Sequence, residues 1–246
     1  MLRCQPSIQR LGLATGLAVC LAVPSRGEEP KLPTMRVRAT EDFAVNGSGE
    51  SAAWRGVPWV ELNPRGGEGH QYLARVKVLY SKTGLYVLMD GTDRRLTATM
   101  GEDFLDLWKE DVFEFFLWPD ERYPLYFEYE ISPLGRELPI LIPNLDGEFL
   151  GWRPWHYENE RRTRKAVLAR GGPPQPGARI EGWRAEIYVP YDLLRPLRNV
   201  PPKPGTRWRA NFYRVDHDEG KTLSWDWARV GPSFHEYAKF GTLVFE

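Results

Sequence analysis

Hydrophobic and polar positions alternate with a period of two along several short stretches. In RVKVLYS (75–81), Val76, Val78 and Tyr80 alternate with Arg75 and Lys77. In GWRAEIYVP (182–190), Trp183, Ala185, Ile187 and Val189 alternate with Arg184, Glu186 and Tyr188. In RWRANFYRV (207–215), Trp208, Ala210 and Phe212 alternate with Arg209, Asn211 and Tyr213. LYVLMD (85–90), DVFEFFLW (111–118), YPLYFEYEIS (123–132) and GTLVF (241–245) are further strand-length apolar runs. Period-two alternation with one polar face predicts strands of antiparallel sheets packed on one side. Helical pattern is slight: YDLLRPL (191–197) allows one turn before Pro196 ends it. The pattern predicts an all-β chain, an antiparallel β-sandwich of jelly-roll or immunoglobulin-like type with about ten strands.

GGPPQPG (171–177) is the stretch richest in structure breakers, and it lies between two strand-like runs, AVLAR and GWRAEIYVP. It reads as a long loop, and PPKPG (201–205) as another turn. No internal repeat or low-complexity linker is present, so residues 28–246 are expected to form one domain.

The first 27 residues read differently. Arg3 and Arg10 precede the apolar run LGLATGLAVCLAV (11–23), and Ser25 and Gly27 are small residues spaced for cleavage before Glu28. That is the pattern of a secretory signal peptide, and the run is too short to span a bilayer. A secreted or periplasmic bacterial-type protein is expected, with no integral membrane segment after cleavage. Lipid attachment at Cys20 is disfavoured by Val19, which is larger than the residue such processing takes. Both cysteines, Cys4 and Cys20, lie in this segment, so residues 28–246 have neither a disulfide nor a thiolate to offer a metal or a substrate.

Charge is balanced, with 33 Lys+Arg against 33 Asp+Glu. Removing residues 1–27 takes away three Arg and no acid, which leaves a slightly acidic remainder. No basic excess points to nucleic acid. Ten Trp, eleven Tyr and eleven Phe are many for 246 residues, and together with 23 Gly and 21 Pro they favour an all-β chain with aromatic surfaces.

The hairpin 111–132 carries the candidate chemistry. Matching apolar to apolar places Phe113 near Tyr129 and Phe115 near Phe127. Glu114 then lies opposite Glu128, with Glu130 two residues along the same face. Like charges directly opposite are destabilising, so Arg184, Arg209, Arg214 or a bound cation is expected to offset them. A face that mixes carboxylates, Arg, Asn211 and aromatic rings suits a sugar: the rings stack on its C–H face, and its hydroxyls need donors and acceptors at the edge.

WKEDVFEFF resembles a known family at this point. Trp108, Asp111 and Glu114 match the W-x-x-D-x-x-E run of carbohydrate-binding module family 9, which belongs among the DOMON-like sandwiches. AVNGSGESAAWRGVPWVEL is similar to the family's opening, VKVLYSKTGLYVLMDGTD to its second hairpin, YFEYEISPLG, GWRAEIYVPYDLL and PGTRWRANFYRVD with LSW to its later strands, and FHEYAKFGTLVF to its final segment, in the same order. The resemblance implies a non-catalytic protein that binds a glycan or polysaccharide and serves carbohydrate catabolism. Trp108 and Phe234 would be the stacking plates, Glu114 and Glu130 would lie at the sugar's edge, and Arg209 or Asn211 would be donors. Phe234 stands where the family has Trp, and Glu130 where it has Arg, so the family's xylan- and cellulose-type specificity is not carried over. The resemblance also implies structural calcium, for which Asp90/Asp93 and Asp216/Asp218/Glu219 are the candidate clusters; no other cofactor is expected.

Three rivals have sequence support. A haem-binding electron carrier would use Met89, Met100 and His235 across an apolar cleft. A glycosidase would use Glu114 and Glu128, but Arg residues flanking them would hold carboxyls too acidic to donate a proton. A structural or partner-binding sandwich at the cell surface would need neither. His70, His156, His217 and His235 lack metal-ligand spacing, and no G-x-S-x-G is present.

Overall fold

The alternating runs form strands. A computed structural model describes residues 31–66, 72–145, 148–149, 151–154, 156–218 and 220–246. The segment expected to be a signal peptide, with Cys4 and Cys20, and also His70 and Glu219 lie outside the described residues. In chain order the strands are β1 (Thr34–Ala39), β2 (Val60–Glu61), β3 (Asn63–Arg65), β4 (Ala74–Tyr80), β5 (Gly84–Thr92), β6 (Val112–Trp118) and β7 (Leu125–Ile131). There follow β8 (Glu137–Leu145), β9 (Glu148–Phe149), β10 (Arg164–Arg170), β11 (Gly182–Pro190), β12 (Arg207–Asp218), β13 (Lys221–Asp226) and β14 (Gly241–Phe245). Fourteen strands exceed the expected ten because several are two- or three-residue pieces and because β1, β8 and β13 were not signalled. The loop 171–177 joins β10 to β11 as an antiparallel pair, and 191–196 is a run of turns.

The strands form one curled sheet in the order β10-β11-β5-β4-β1-β14-β12-β6-β7-β8-β9. Every pairing is antiparallel except those of β1, which runs parallel to both neighbours. Thr34–Val37 pair with β14, and Arg38–Ala39 pair with β4, so this strand changes partner midway. The wholly antiparallel sheet expected from the sequence is corrected at that strand.

Curling brings the inner faces of β5 and β11 onto those of β6, β7 and β12. Val87, Trp183, Phe113, Phe115, Tyr129 and Phe212 share one buried cluster, and the Phe113 and Trp183 rings lie 4.0 Å apart. A second buried cluster lies on the outer face of β6, β7 and β8, where Phe116, Tyr126, Ile140 and Tyr213 meet Leu107, Val230 and Phe240. All seven residues of β6 are therefore buried, on both faces. A loop from 230 to 240 thus helps cover what the alternation alone had marked as a solvated face.

One backbone position illustrates how tightly the layers approach. A Cβ on Gly91 would lie 2.7 Å from Arg214 Nη1. Only glycine admits that guanidinium, which donates to the carbonyls of Leu73 (3.1 Å) and Thr92 (2.6 Å).

Candidate functional site

β6 and β7 set the acidic residues by alternation. Phe113, Phe115, Phe127 and Tyr129 turn inward, so Glu114, Phe116, Glu128 and Glu130 turn outward. The pairing is Phe113 with Ile131, Glu114 with Glu130, Phe115 with Tyr129 and Phe116 with Glu128. This corrects the expected register by two residues. The connection keeps Tyr123 and Pro124 out of the strand: Tyr123 O accepts from Trp118 Nε1 (2.7 Å) and Pro124 O accepts from Asn144 N (2.8 Å). Because the slip is an even number, the same side chains still share a face.

The outer face forms the floor of a cleft of about 780 Å³. A 3₁₀ turn, Leu107–Lys109, supplies one wall. Leu107 is buried and anchors it, while Trp108 is 52% exposed, more than any other large apolar residue described. The Trp108 amide donates to Glu130 Oε2 (3.0 Å), which fixes the turn to β7. Lys109 Nζ lies 5.1 Å from the Trp108 ring centroid and pairs with Asp106 at 2.7 Å.

Phe234 and His235 form the facing wall. The Phe234 ring stacks on Tyr213 with centroids 4.2 Å apart and 6° between planes. The Arg65 guanidinium lies 4.8 Å from the Phe234 centroid, held there by Asp226 (2.7 Å). His235 stacks on Phe116 at 5.3 Å and shares a 2.7 Å hydrogen bond between Nδ1 and Tyr126 Oη. Burial lowers His235 to about 4, so the ring is neutral at ordinary pH.

Glu114, Glu128 and Glu130 are 2%, 4% and 1% exposed. Burial pushes all three carboxyls well above the ordinary range, and their mutual repulsion adds to it. Glu128 and Glu130 share a hydrogen bond. Glu114 Oε1 and Glu128 Oε2 are buried without a hydrogen-bond partner.

The Arg residues expected to neutralise this face are elsewhere. Arg184 pairs with Asp90 (3.1 Å) beside Arg75 and Arg170. Arg214 is buried between Asp93 and Asp216. Arg209 donates to the carbonyls of Phe240 and Ala238 and pairs with Glu121. Asn211 is spent on Tyr213 Oη, Ala228 and the Phe212 amide. Of the six site residues read from the sequence, the fold brings Trp108, Glu114, Glu130 and Phe234 to one cleft and leaves Arg209 and Asn211 outside its lining. The expectation that Arg would hold these carboxyls acidic is likewise overturned: they are pushed upward. Glu128, His235, Arg65 and Lys109 are among the other lining residues; Glu128 was signalled by its place two residues before Glu130, and His235 by adjacency to Phe234.

The calcium candidates regroup. Asp90 stands apart with its three Arg. Asp93 joins Asp216 and Asp218, each offering an oxygen within 4.8 Å of the others. Asp216 Oδ1 has no hydrogen-bond partner, and nearby Asp111 is pushed up to about 8 by burial and by Asp216. Met89 is buried in the inner core and Met100 packs on the outer cluster beside the cleft, so Met89 and His235 do not face each other across one cavity.

No protein-family profile matches the sequence, and no curated protein matches it significantly. Solved structures do. A candidate carbohydrate-binding protein from Bacteroides uniformis ATCC 8492 is 18% identical, with 88% of this chain and all of that one covered at a TM-score of 0.71. A family 9 carbohydrate-binding module from Caldicellulosiruptor kristjanssonii in complex with cellotriose is 16% identical, covering 87% and 94% of the chains at 0.62. The same organism's family 9 module in complex with glucose is 14% identical, covering 86% and 96% at 0.61. The fold of this chain is that of the family 9 carbohydrate-binding modules.

Proposed function

We propose that the protein is an exported, non-catalytic carbohydrate-binding domain whose cleft between Trp108 and Phe234 holds a sugar over Glu114 and Glu130. Residues 28–246 form a single β-sandwich after removal of 1–27, the two halves of the curled sheet being its layers. The observation that carries the reading is Trp108: an indole more than half exposed at the rim of a cleft floored by buried carboxyls. Apolar rings beside hydrogen-bonding acids are what a pyranose takes. Binding without hydrolysis is favoured because a glycosidase needs one carboxyl ionised and its partner protonated. Here burial drives all three in one direction, and among the described residues no Lys or Arg pairs with any of them.

A cation fits the group Asp93, Asp216 and Asp218, whose oxygens lie within 4.8 Å of one another and of which Asp93 and Asp216 also pair with Arg214. These residues would hold calcium in a structural role, as the resemblance implies.

Glycan-array screening of the exported protein tests the reading. Binding to at least one saccharide class is expected, without release of reducing ends. Trp108→Ala should weaken it by roughly threefold to tenfold, the worth of a stacked ring at about 0.5–1.5 kcal/mol, with no fall in melting temperature because the ring is exposed. A Trp108→Ala variant that melts earlier but binds equally well would make this residue structural and overturn the site.

A further inference from the structure

The cleft floor has an acceptor excess that a neutral sugar does not explain. Glu114 Oε1 is buried without a hydrogen-bond partner, and the residue is 2% exposed and lines the cleft. Glu128 Oε2 is likewise without a hydrogen-bond partner, with His235 Nδ1 at 3.9 Å. Buried polar atoms are normally satisfied, and leaving one unsatisfied costs about 1–3 kcal/mol. Two such oxygens at the bottom of one cleft mark where a ligand's donors belong.

The charged groups around the cleft decide what kind of donor. From the 3₁₀ turn come Asp106 and Lys109, which pair with each other. From β3 comes Arg65, held by Asp226 and the Gly231 carbonyl. His217 on β12 lines the rim and donates its backbone amide to Asp111. His235 from the 230–240 loop is neutral and engaged with Tyr126. No Lys or Arg pairs with any of the three glutamates among the described residues. A metal ion is disfavoured as the missing cation, because the glutamates do not form a group with three oxygens within 4.8 Å of one another, as Asp93, Asp216 and Asp218 do.

We infer that the ligand of this cleft is an amino sugar, whose protonated amine lies between Glu114 and Glu128 while its ring stacks on Trp108. This rests on the carbohydrate reading above. A primary ammonium has three N–H donors and a positive charge, which suits a floor of acceptors that lacks a cation. Its charge favours the ionised form of carboxyls that burial pushes upward, so binding releases protons to solvent. Charge-assisted bonds in such a desolvated site are about twice as strong as neutral ones. Replacing the amine by a hydroxyl or an acetamide loses that gain.

Calorimetry of the full exported protein at pH 6, in two buffers of different ionisation heat, tests the inference. The titrants are a fully deacetylated glucosamine trimer, its N-acetylated counterpart and cellotriose. The expected result is at least tenfold tighter binding of the glucosamine trimer, with a buffer-dependent heat that reports proton release and is absent for the neutral sugars. Glu114→Gln combined with Glu128→Gln should abolish both the preference and the proton release, bringing the glucosamine trimer down to the affinity of the neutral sugars. Glu114→Gln alone provides the same readout if the double variant does not fold. Equal or tighter binding of neutral sugars, or a preference that survives the substitutions, overturns the amino-sugar inference and leaves the carbohydrate reading standing. Tighter binding of spermidine than of the glucosamine trimer shows that charge alone is read, and overturns the sugar class. Failure of every saccharide to bind overturns both.

Discussion

Two acidic sites of this molecule are built in opposite ways. Asp90 is buried, which by itself raises a carboxyl, yet Arg170, Arg184 and Arg75 bring it below its ordinary value. Arg214 pulls Asp93 and Asp216 in the same direction, although burial still leaves both above the ordinary value. These charges are matched within the chain, and they tie β4, β5, β10, β11 and β12 together. Glu114, Glu128 and Glu130 are equally buried, but among the described residues no Lys or Arg pairs with them, and burial takes their carboxyls up. An acid whose partner is supplied by the fold serves the fold. An acid left without one is available to something that arrives from outside.

The comparison breaks most sharply at Arg214, which is fully buried and also lies 4.9 Å from the Trp225 ring centroid. Arg214→Met should destabilise the protein by about 3–5 kcal/mol in denaturant unfolding, because it strands Asp93 and Asp216 without their counter-charge. Glu114→Gln, at a site just as buried, should be neutral or stabilising. A large loss from Glu114→Gln would mean that the fold depends on its charge.

Next in size is pH. A carboxyl raised by folding contributes stability that is present below its unfolded value and is lost as pH rises through the folded one. Glu114, Glu128 and Glu130 act this way above their ordinary 4.5, together with Asp216 up to about 7 and Asp111 up to about 8. Each such group costs up to about 1.4 kcal/mol per pH unit within its window. Asp90 has the opposite sign, its contribution being lost as pH falls below 3.8. His235 shares that acid-side sign, its contribution being lost from 6.5 down toward about 4. Melting temperature should therefore fall from about pH 5 to pH 8, and Glu114→Gln with Glu128→Gln should flatten that limb. Asp90→Asn should leave the limb unchanged.

The smallest expected effect concerns calcium. Binding at Asp93, Asp216 and Asp218 at a hundredfold excess over Kd would add about 2.7 kcal/mol, and less if the unfolded chain also binds the ion. A chelator should reverse the gain, Asp218→Asn should remove it, and Glu114→Gln should not. A gain that disappears with Glu114→Gln instead would move the ion to the cleft.

Strands of regular alternation were legible in the sequence: β4, β11, β12 and β14 lie where Val76–Tyr80, Trp183–Val189, Trp208–Phe212 and Leu243–Phe245 place them. β8 was not, because Pro139 and Pro143 interrupt it; it tolerates them near the sheet's edge, where only the short β9 follows. Trp108, Glu114, Glu130 and Phe234 were legible because strand parity and proximity to an aromatic turn depend on local sequence alone. Arg209 and Asn211 were misread for the same reason. They stand on the outward face of β12, but the segments around Ala228 and Ala238–Gly241 come over that face and take up their hydrogen bonds. Whether an outward face meets water is decided by chain far away, and no local pattern records it.

The parallel strand β1 has a consequence for how the chain acquires its structure. Its partners in β14 are more than two hundred positions distant, as in Thr34 with Thr242 and Val37 with Phe245. Pairings of such sequence separation form late and slow folding. As the chain emerges from synthesis, β1 has no neighbour on that side until β14 is free. The seam between β1 and β14 therefore closes only after residues 241–245 have been made, and until then the sheet is open along that side of β1.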